Sequence, residues 1–138
     1  MVILPDSSAW IELLRGAGSP VHHRLRRALE SGESVVVTEP VIMEVLAGAL
    51  SRRHAKLLRT QLIGFPLASV GGLAGFEYAA TIYRACRDAG EQLRRTTDCL
   101  IAAAAIQADA AVLHADRDFD TIARHTELRI ELVPRPGS

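Results

Sequence analysis

Short apolar stretches with strand character alternate along this chain with longer segments of helical periodicity. The strand-like stretches cover residues 2–4, 34–37, 66–70, 111–114 and 129–133. Strands that alternate with helices pair in parallel, because each helix returns the chain to the edge of the sheet where the strand began. The sequence therefore predicts a three-layer α/β domain with helices on both faces of a parallel sheet.

Capping residues and interruptions of the periodicity place the helices between these strands. A serine at position 7 or 8 caps the first helix, and Thr38-Glu39-Pro40 supplies a cap, an early acid and a first-turn proline for another. The predicted helices cover residues 8–15, 20–31, 39–50, 52–63, 73–89 and 119–125, in addition to one that starts near Asp98.

Length and composition are those of one folded domain. With 138 residues, 49% of them hydrophobic, the chain can bury a core, and we expect a single domain over residues 1–138. No apolar run reaches the roughly 18 residues of a membrane-spanning helix. No signal-peptide pattern opens the sequence, so we expect a cytoplasmic protein without membrane contact. Cys86 and Cys99 lie in helical apolar patterns, which favours buried reduced thiols over a disulfide.

The charge is balanced, with 16 basic and 16 acidic residues, which argues against a general polyanion-binding surface. Fifteen of the basic residues (16 − 1) are arginine, because Lys56 is the only lysine. Arginine suits bidentate contacts with phosphate, but the base composition of the genome explains the same bias equally well. Charge alone therefore does not decide whether the protein binds nucleic acid.

Carboxylates stand at the ends of strands and against apolar helix faces. Asp6 follows the first strand, Asp116 and Asp118 follow the fourth, Glu44 lies in an apolar helix, and Asp98 opens another. Each has a local explanation, since helix N-termini stabilise negative charge by about 0.3–1 kcal/mol and turns solvate acids. Functional groups of parallel sheets, however, gather beyond the carboxyl ends of strands. We therefore expect these side chains to converge.

Converging carboxylates repel one another unless a cation lies between them. Oxygen ligands without histidine or cysteine at ligand spacing select a hard ion, Mg²⁺ or Mn²⁺, over zinc. Such ions lower the pKa of water to make a nucleophile and stabilise the oxygens of an in-line displacement at phosphorus. The constellation thus indicates metal-dependent phosphoryl chemistry.

Four stretches of the chain resemble, in order, the four acidic motifs of the PIN domain, as found in the VapC toxins of bacterial toxin–antitoxin pairs. They are PDSSAWIELLR, EPVIMEVLAGA, TTDCLIAAAAI and HADRDFDTIA. The resemblance implies an α/β/α sandwich with a mostly parallel five-stranded sheet. It also implies a Mg²⁺- or Mn²⁺-dependent endoribonuclease of a type II toxin–antitoxin pair, a small VapB-like antitoxin partner, and a homodimer.

Carried over residue by residue, the resemblance gives each acid a role. Asp6, Glu44, Asp98 and Asp116 form the catalytic quartet. The metal ligands are Asp6, Asp98, Asp116 and Asp118, and Ser8 is the small hydroxyl that orients the site. Two positions depart from the usual first motif, because Ser7 replaces a threonine and Pro5 replaces an apolar residue.

Several further residues carry two interpretations each. Arg94 and Arg95 either hold substrate phosphate or form a solvated loop pair, and His114 is either a packed strand-end histidine or a proton shuttle. Trp10 is predicted to lie in the core or at a partner interface, in preference to serving as a base-stacking platform. A second basic group, which could position RNA by its phosphates, consists of Arg52, Arg53 and Arg59.

An acidic crevice is a natural receptor for a guanidinium, which pairs with two oxygens at once. We therefore expect the antitoxin to insert an arginine there and to lay an apolar segment around Trp10, Leu13 and Leu14.

Three other functions compete with the toxin. One is a PIN-type RNA-processing nuclease outside a toxin–antitoxin system. Another is aspartyl-phosphate chemistry, whose patterns call for a late lysine or for an aspartate where Ser8 stands, whereas the only lysine is Lys56. The third is a silent binding module, which a complete acidic quartet disfavours.

Overall fold

A computed structural model describes residues 1–133 of the chain as an alternation of strands and helices. The strands are β1 (Val2–Pro5), β2 (Ser34–Val35), β3 (Ala110–Leu113) and β4 (Arg129–Ile130). The helices are α1 (Ser7–Leu14), α2 (Pro20–Glu30), α3 (Glu39–Ala47), α4 (Arg52–Leu62), α5 (Gly72–Asp88), α6 (Thr97–Gln107) and α7 (Asp118–His125). Every predicted helix is present, and α3 ends at Ala47, before the expected residue 50.

All four strands are parallel, in the order β2-β1-β3-β4. The two central strands lie side by side over four residues, from Val2 opposite Ala110 to Pro5 opposite Leu113. Because both strands end at the same point in the register, the amide of Asp6 can donate to the Leu113 carbonyl, at 3.0 Å. Helices flank the sheet and form the predicted α/β/α sandwich, and the residues that follow β1 and β3 leave it at one edge.

The prediction of a fifth strand over residues 66–70 is wrong. Within the described residues this segment makes one isolated parallel bridge, between Val37 and Leu67. Beyond that bridge, the amide of Val70 and the hydroxyl of Ser69 both donate to the Glu39 carboxylate, at 2.8 and 2.7 Å. The backbone turns toward the start of α3 instead of extending the sheet. The last strand is also shorter than predicted and ends at Ile130.

Helix α6 lies at the centre of the core. Its apolar side chains are buried on nearly every side, including four consecutive alanines, Ala102–Ala105. These small side chains let the helix pack closely against both α5 and β3. Consequently Asp98, in the first turn of α6, is only 2% exposed.

Three smaller features complete the fold. Gly75 of α5 lies directly against the backbone of Val70, because a Cβ at this position would be 1.5 Å from the Val70 carbonyl oxygen. Cys86 and Cys99 are buried free thiols, as predicted. Among residues 1–133, no helix is both long enough and apolar enough to cross a bilayer.

Candidate metal and catalytic site

Asp6 links the end of β1 to the start of α1. It caps this helix itself, in place of the serine expected from the sequence, because its Oδ1 accepts the amide of Ala9 at 2.9 Å. The same oxygen accepts the Ser8 hydroxyl at 2.7 Å. Burial raises the pKa of Asp6 to about 6, although both hydrogen bonds oppose the rise.

Ser8 connects the ends of the two central strands. While its hydroxyl donates to Asp6, its oxygen accepts the amide of Ala115 at 2.9 Å. Ala115 precedes Asp116 in the chain, so one hydroxyl contacts both acidic segments. The orienting role of Ser8 stays a prediction, and these two contacts are the geometry on which it depends.

Asp98 projects from the first turn of α6 and has a buried, unpartnered oxygen. Its Oδ2 has no hydrogen-bond partner within residues 1–133. Burial raises the pKa of Asp98 to about 7. Arg95 opposes that rise, and the charges of Asp116, Asp6 and Glu44 add to it. A buried oxygen without a donor is costly, which makes it a candidate ligand atom.

Asp116 and Asp118 follow β3 and complete a cluster with Asp98. The amide of Asp118 donates to Asp116 Oδ1 at 3.0 Å. One oxygen from each of the three aspartates lies within 4.8 Å of the other two. The predicted convergence of helix α6 and the β3 end is therefore present in the structure.

Glu44 lines a cleft together with Asp98. Its Oε1 accepts the Ser7 hydroxyl at 2.6 Å, which fixes the side chain of α3 against α1. The cleft has a volume of about 380 Å³, and Asp6, Glu44 and Asp98 all line it. The sequence predicted Ser7 as a candidate helix cap and as a departure from the usual motif, but not this contact, for which a lone serine gives no signal.

Arg94 and Arg95 lie over the acidic cluster. Arg94 donates to Asp116 Oδ1 at 2.5 Å and to Asp118 Oδ2 at 3.2 Å, and Arg95 donates to Asp116 Oδ2 at 2.9 Å. Burial would raise the pKa of Asp116, but the Asp118 amide and the two guanidinium groups outweigh it and hold the pKa below its usual range. Both arginines are therefore part of the site and not a free loop pair.

His114 is packed behind the cluster. Its Nδ1 accepts the Asp116 amide at 3.0 Å, and its Nε2 lies 3.2 Å from Asp120 Oδ1. The ring also packs on Phe119, with 5.3 Å between ring centroids. These contacts agree with a packed histidine that holds the turn in place.

The donor set fits a hard divalent cation. Carboxylate oxygens from α6 and from the β3 end converge, one of them buried without a partner, and Asp6 lies on the adjoining cleft wall. Oxygen-only sites of this kind suit Mg²⁺ or Mn²⁺. The fold and the site together define a parallel α/β domain with a cluster of carboxylates beyond the carboxyl ends of its central strands.

Comparison with known proteins identifies the family. The sequence model of the PIN domain family matches residues 3–125, and the chain belongs to this family. It is 44% identical over 129 residues to VapC ribonuclease Mb1587 of Mycobacterium bovis, an alignment that covers 93% of this chain and 96% of that protein. Ribonuclease VapC11 of Mycobacterium tuberculosis matches with the same identity and coverage.

Solved structures share the fold. VapBC2 from Rickettsia felis, bound to a promoter DNA fragment, has a TM-score of 0.74 at 14% identity and covers 97% of this chain and 100% of its own. VapC20 of Mycobacterium tuberculosis, a toxin that cleaves the sarcin-ricin loop, has a TM-score of 0.65 at 19% identity, with 92% and 98% covered. FitAcB from Neisseria gonorrhoeae has a TM-score of 0.66 at 22% identity, with 94% and 96% covered.

Proposed function

We propose that the protein is a Mg²⁺- or Mn²⁺-dependent endoribonuclease and the toxin of a type II toxin–antitoxin pair. The observation that carries the proposal is the buried, unpartnered Oδ2 of Asp98 beside the carboxylates of Asp116 and Asp118. Relatives named VapC ribonucleases, matched over nearly the whole chain, support the RNA substrate.

Asp6, Asp98, Asp116 and Asp118 are the residues that would hold the ion. When bound, a divalent ion supplies a water of lowered pKa as nucleophile and stabilises negative charge at the phosphate. Ser8 holds the Asp6 carboxylate at the end of β1, and Asp118 orients Asp116 through its own amide.

We assign the role of proton acceptor to Glu44. Ser7 donates to its Oε1, whereas Oε2 lies 3.9 Å from Nη1 of Arg95, which also lines the cleft. We assign to Oε2 the acceptance of a proton from the attacking water. The new bond joins that water oxygen to phosphorus, the P–O3′ bond breaks, and a proton returns to the leaving O3′. The products carry a 5′-phosphate and a 3′-hydroxyl.

Arg94 and Arg95 supply the positive charge at the mouth of the site. Their side chains are 58% and 55% exposed while their guanidinium groups reach the acidic cluster. Phosphate contacts of this kind position RNA without reading its sequence. We therefore assign both residues to the binding of the RNA backbone.

The test is cleavage of single-stranded RNA by the purified full chain, with product ends identified. We expect activity with Mg²⁺ or Mn²⁺, loss of activity with a chelator, and a loss of at least about tenfold in Asp116→Asn. Full activity in chelator, or a 2′,3′-cyclic phosphate product, would contradict the mechanism. RNA-end sequencing after induced expression then identifies the substrate RNA.

We also propose a VapB-like antitoxin that covers the cleft. A groove of about 340 Å³ continues from Glu44 along α1 and α4, and is lined by Ile11, Leu14, Leu50 and Leu58. The apolar segment predicted around Trp10 fits better on Ile11 and Leu14, because Trp10 is buried against Phe65. The arginine of that partner would enter the cleft between Glu44 and Asp98.

Replacing that arginine in the complex should restore cleavage. Continued inhibition with an unfilled cleft would place the inhibitory contact elsewhere. A small neighbouring gene for a DNA-binding antitoxin would favour the toxin over an RNA-processing PIN nuclease. Cytoplasmic localisation and pairing of two copies belong to the same proposal, and sedimentation of the purified chain tests the pairing.

A further inference from the structure

Arg94 already binds the acidic cluster as a cation. Its Nη2 lies 2.5 Å from Asp116 Oδ1 and its Nε lies 3.2 Å from Asp118 Oδ2. These two aspartates are two of the three whose oxygens lie within 4.8 Å of one another. The guanidinium therefore neutralises the carboxylates that the proposed metal site requires.

A divalent ion and this guanidinium cannot both bind the cluster with full affinity. Both need the oxygens of Asp116 and Asp118, and two cations at that separation repel each other. Asp98, by contrast, offers an oxygen that Arg94 does not use and that has no partner in the described residues. A metal therefore gains the unpartnered Asp98 oxygen but must displace the Arg94 side chain.

We infer that Arg94 and the divalent ion occupy the Asp116–Asp118 pair in alternation, and that metal binding releases the Arg94 guanidinium to bind the RNA phosphate. This inference rests on the proposed function for its RNA half. The metal half is independent of cleavage. Metal and RNA then strengthen each other's binding, because the same side chain opposes one ligand and contacts the other.

The loop that carries Arg94 is anchored, so only the side chain needs to move. Leu93 is 4% exposed, and Glu91 binds both Arg124 and His125 of α7. The backbone amide of Arg94 also donates to Asp118 Oδ2 at 3.2 Å. The Arg94 side chain, in contrast, is 58% exposed and has solvent into which it can turn. A released guanidinium thus stays at the mouth of the site.

The first experiment measures the affinity of the full chain for Mn²⁺ by calorimetry, without RNA. Arg94→Ala should bind Mn²⁺ roughly three- to fivefold more tightly than the parent, the size of one exposed ion pair. Arg94→Lys keeps the charge but loses the bidentate geometry, so its Mn²⁺ affinity should lie between those of the parent and Arg94→Ala. Arg84→Ala is the matched control, because Arg84 is an exposed arginine of α5 outside the cluster.

The second experiment follows the guanidinium itself and its contact with RNA. Titration with Mg²⁺ should change the Nε–H resonance of Arg94 and speed its exchange with water. In a Glu44→Gln background, which slows the proposed cleavage, Arg94→Ala should weaken binding of a short single-stranded RNA by about threefold or more with Mn²⁺. Without Mn²⁺, Arg94→Ala should reduce the affinity for this RNA by less than about half as much.

Unchanged or weaker Mn²⁺ affinity in Arg94→Ala, with Arg84→Ala equal to the parent, would overturn the inference. So would an Arg94 resonance that ignores saturating Mg²⁺, or an equal loss of RNA binding with and without metal. If the chain binds Mn²⁺ in this pattern but cuts no RNA, the proposed function fails and the alternation at Asp116 and Asp118 stands. If it cuts RNA and Arg94→Ala leaves Mn²⁺ affinity unchanged, the alternation alone fails.

Discussion

The Ser7 hydroxyl donates a 2.6 Å hydrogen bond to Oε1 of Glu44, across 37 positions of the sequence. The bond joins the first turn of α1 to the middle of α3 and fixes the wall of the cleft that faces Asp98. Glu44 is 22% exposed, so water could otherwise solvate its carboxylate in several rotamers. The Ser7 hydrogen bond therefore favours one rotamer of Glu44, in which Oε2 lies 3.9 Å from Arg95 Nη1.

Removing this bond should lower cleavage more than it lowers metal affinity. We expect Ser7→Ala to reduce kcat by about tenfold, since one hydrogen bond to a charged group contributes roughly 1.5 kcal/mol. Mn²⁺ affinity should change by less than about twofold, because Ser7 does not contact the aspartate cluster. Ser7→Thr keeps the hydroxyl and should restore activity. Equal losses in Ser7→Ala and Ser7→Thr would rule out the hydroxyl as the cause.

Asp98 should destabilise the metal-free protein at neutral pH. Its pKa of about 7 lies above that of an unfolded aspartate, about 3.9, so the folded chain holds the proton more tightly. The free energy of unfolding therefore falls as pH rises from about 4 to about 7, and the whole cost is present above that range. Asp98→Asn removes this titration. The Tm of Asp98→Asn minus that of the parent should therefore increase as the pH rises over the same range.

Melting curves from pH 4.5 to 8, with and without Mg²⁺, measure this difference. Mg²⁺ should raise the Tm of the parent and have much less effect on Asp98→Asn, because only a bound ligand stabilises the fold. Asparagine caps a helix about as well as aspartate. A purely local role at the start of α6 therefore predicts no pH dependence of the difference and normal cleavage. That result would remove Asp98 from the metal set.

Gly75→Ala should severely destabilise the fold. An added Cβ would meet the carbonyl oxygen of Val70 at 1.5 Å, and this neighbour is backbone that cannot rotate away. Either α5 or the segment before it must shift, at a cost of about 3 kcal/mol or more. Gly48→Ala is the control, because its Cβ would come no closer than 3.6 Å to any such atom. Denaturant unfolding of both variants measures the contrast, and equal stability would contradict the observed packing.

Helix α4 should contribute to RNA affinity through its charge. Arg52, Arg53, Lys56 and Arg59 are exposed on this helix, which contains no acidic residue. Each cation that contacts a phosphate of single-stranded RNA adds about 0.7 to the slope of log K against log salt. Double replacement of Arg52 and Arg59 by alanine should therefore reduce the slope by about 1.4 and leave Mn²⁺ affinity unchanged. An unchanged slope would place the RNA on another face.

The sequence was most informative where local chemistry decides the structure. Asp6 and Asp116 follow apolar strands, and the carboxyl ends of parallel strands meet, so their convergence could be predicted. The charge of Asp98 on an otherwise apolar helix likewise indicated that it would join them. The absence of a strand at 66–70, by contrast, is explained by Glu39. Its carboxylate accepts hydrogen bonds from a backbone amide and a hydroxyl about thirty positions away. No local pattern reports such a contact.

The pairing of Arg94 with Asp116 and Asp118 was hidden for a similar reason. Two adjacent arginines before a helix have the same local pattern whether they face water or a carboxylate. Only the packing of α6 against β3 brings the loop over the acidic turn, and that packing is a property of the whole fold. Ser7 and Glu44 were likewise separated by too much sequence for their contact to be foreseen.

The order of the strands also determines when during synthesis the site can form. β1 leaves the ribosome long before its central neighbour β3, which begins at Ala110, and Asp116 and Asp118 come later still. A nascent chain that has reached α6 but not β3 therefore carries Asp6, Glu44 and Asp98 without Asp116 and Asp118, so its acidic cluster is incomplete. Interrupted translation products that end before β3 would have no assembled nuclease centre. The ribosome that makes this protein, and the message it reads, thus meet an assembled site only after Asp118 has been synthesised and has emerged.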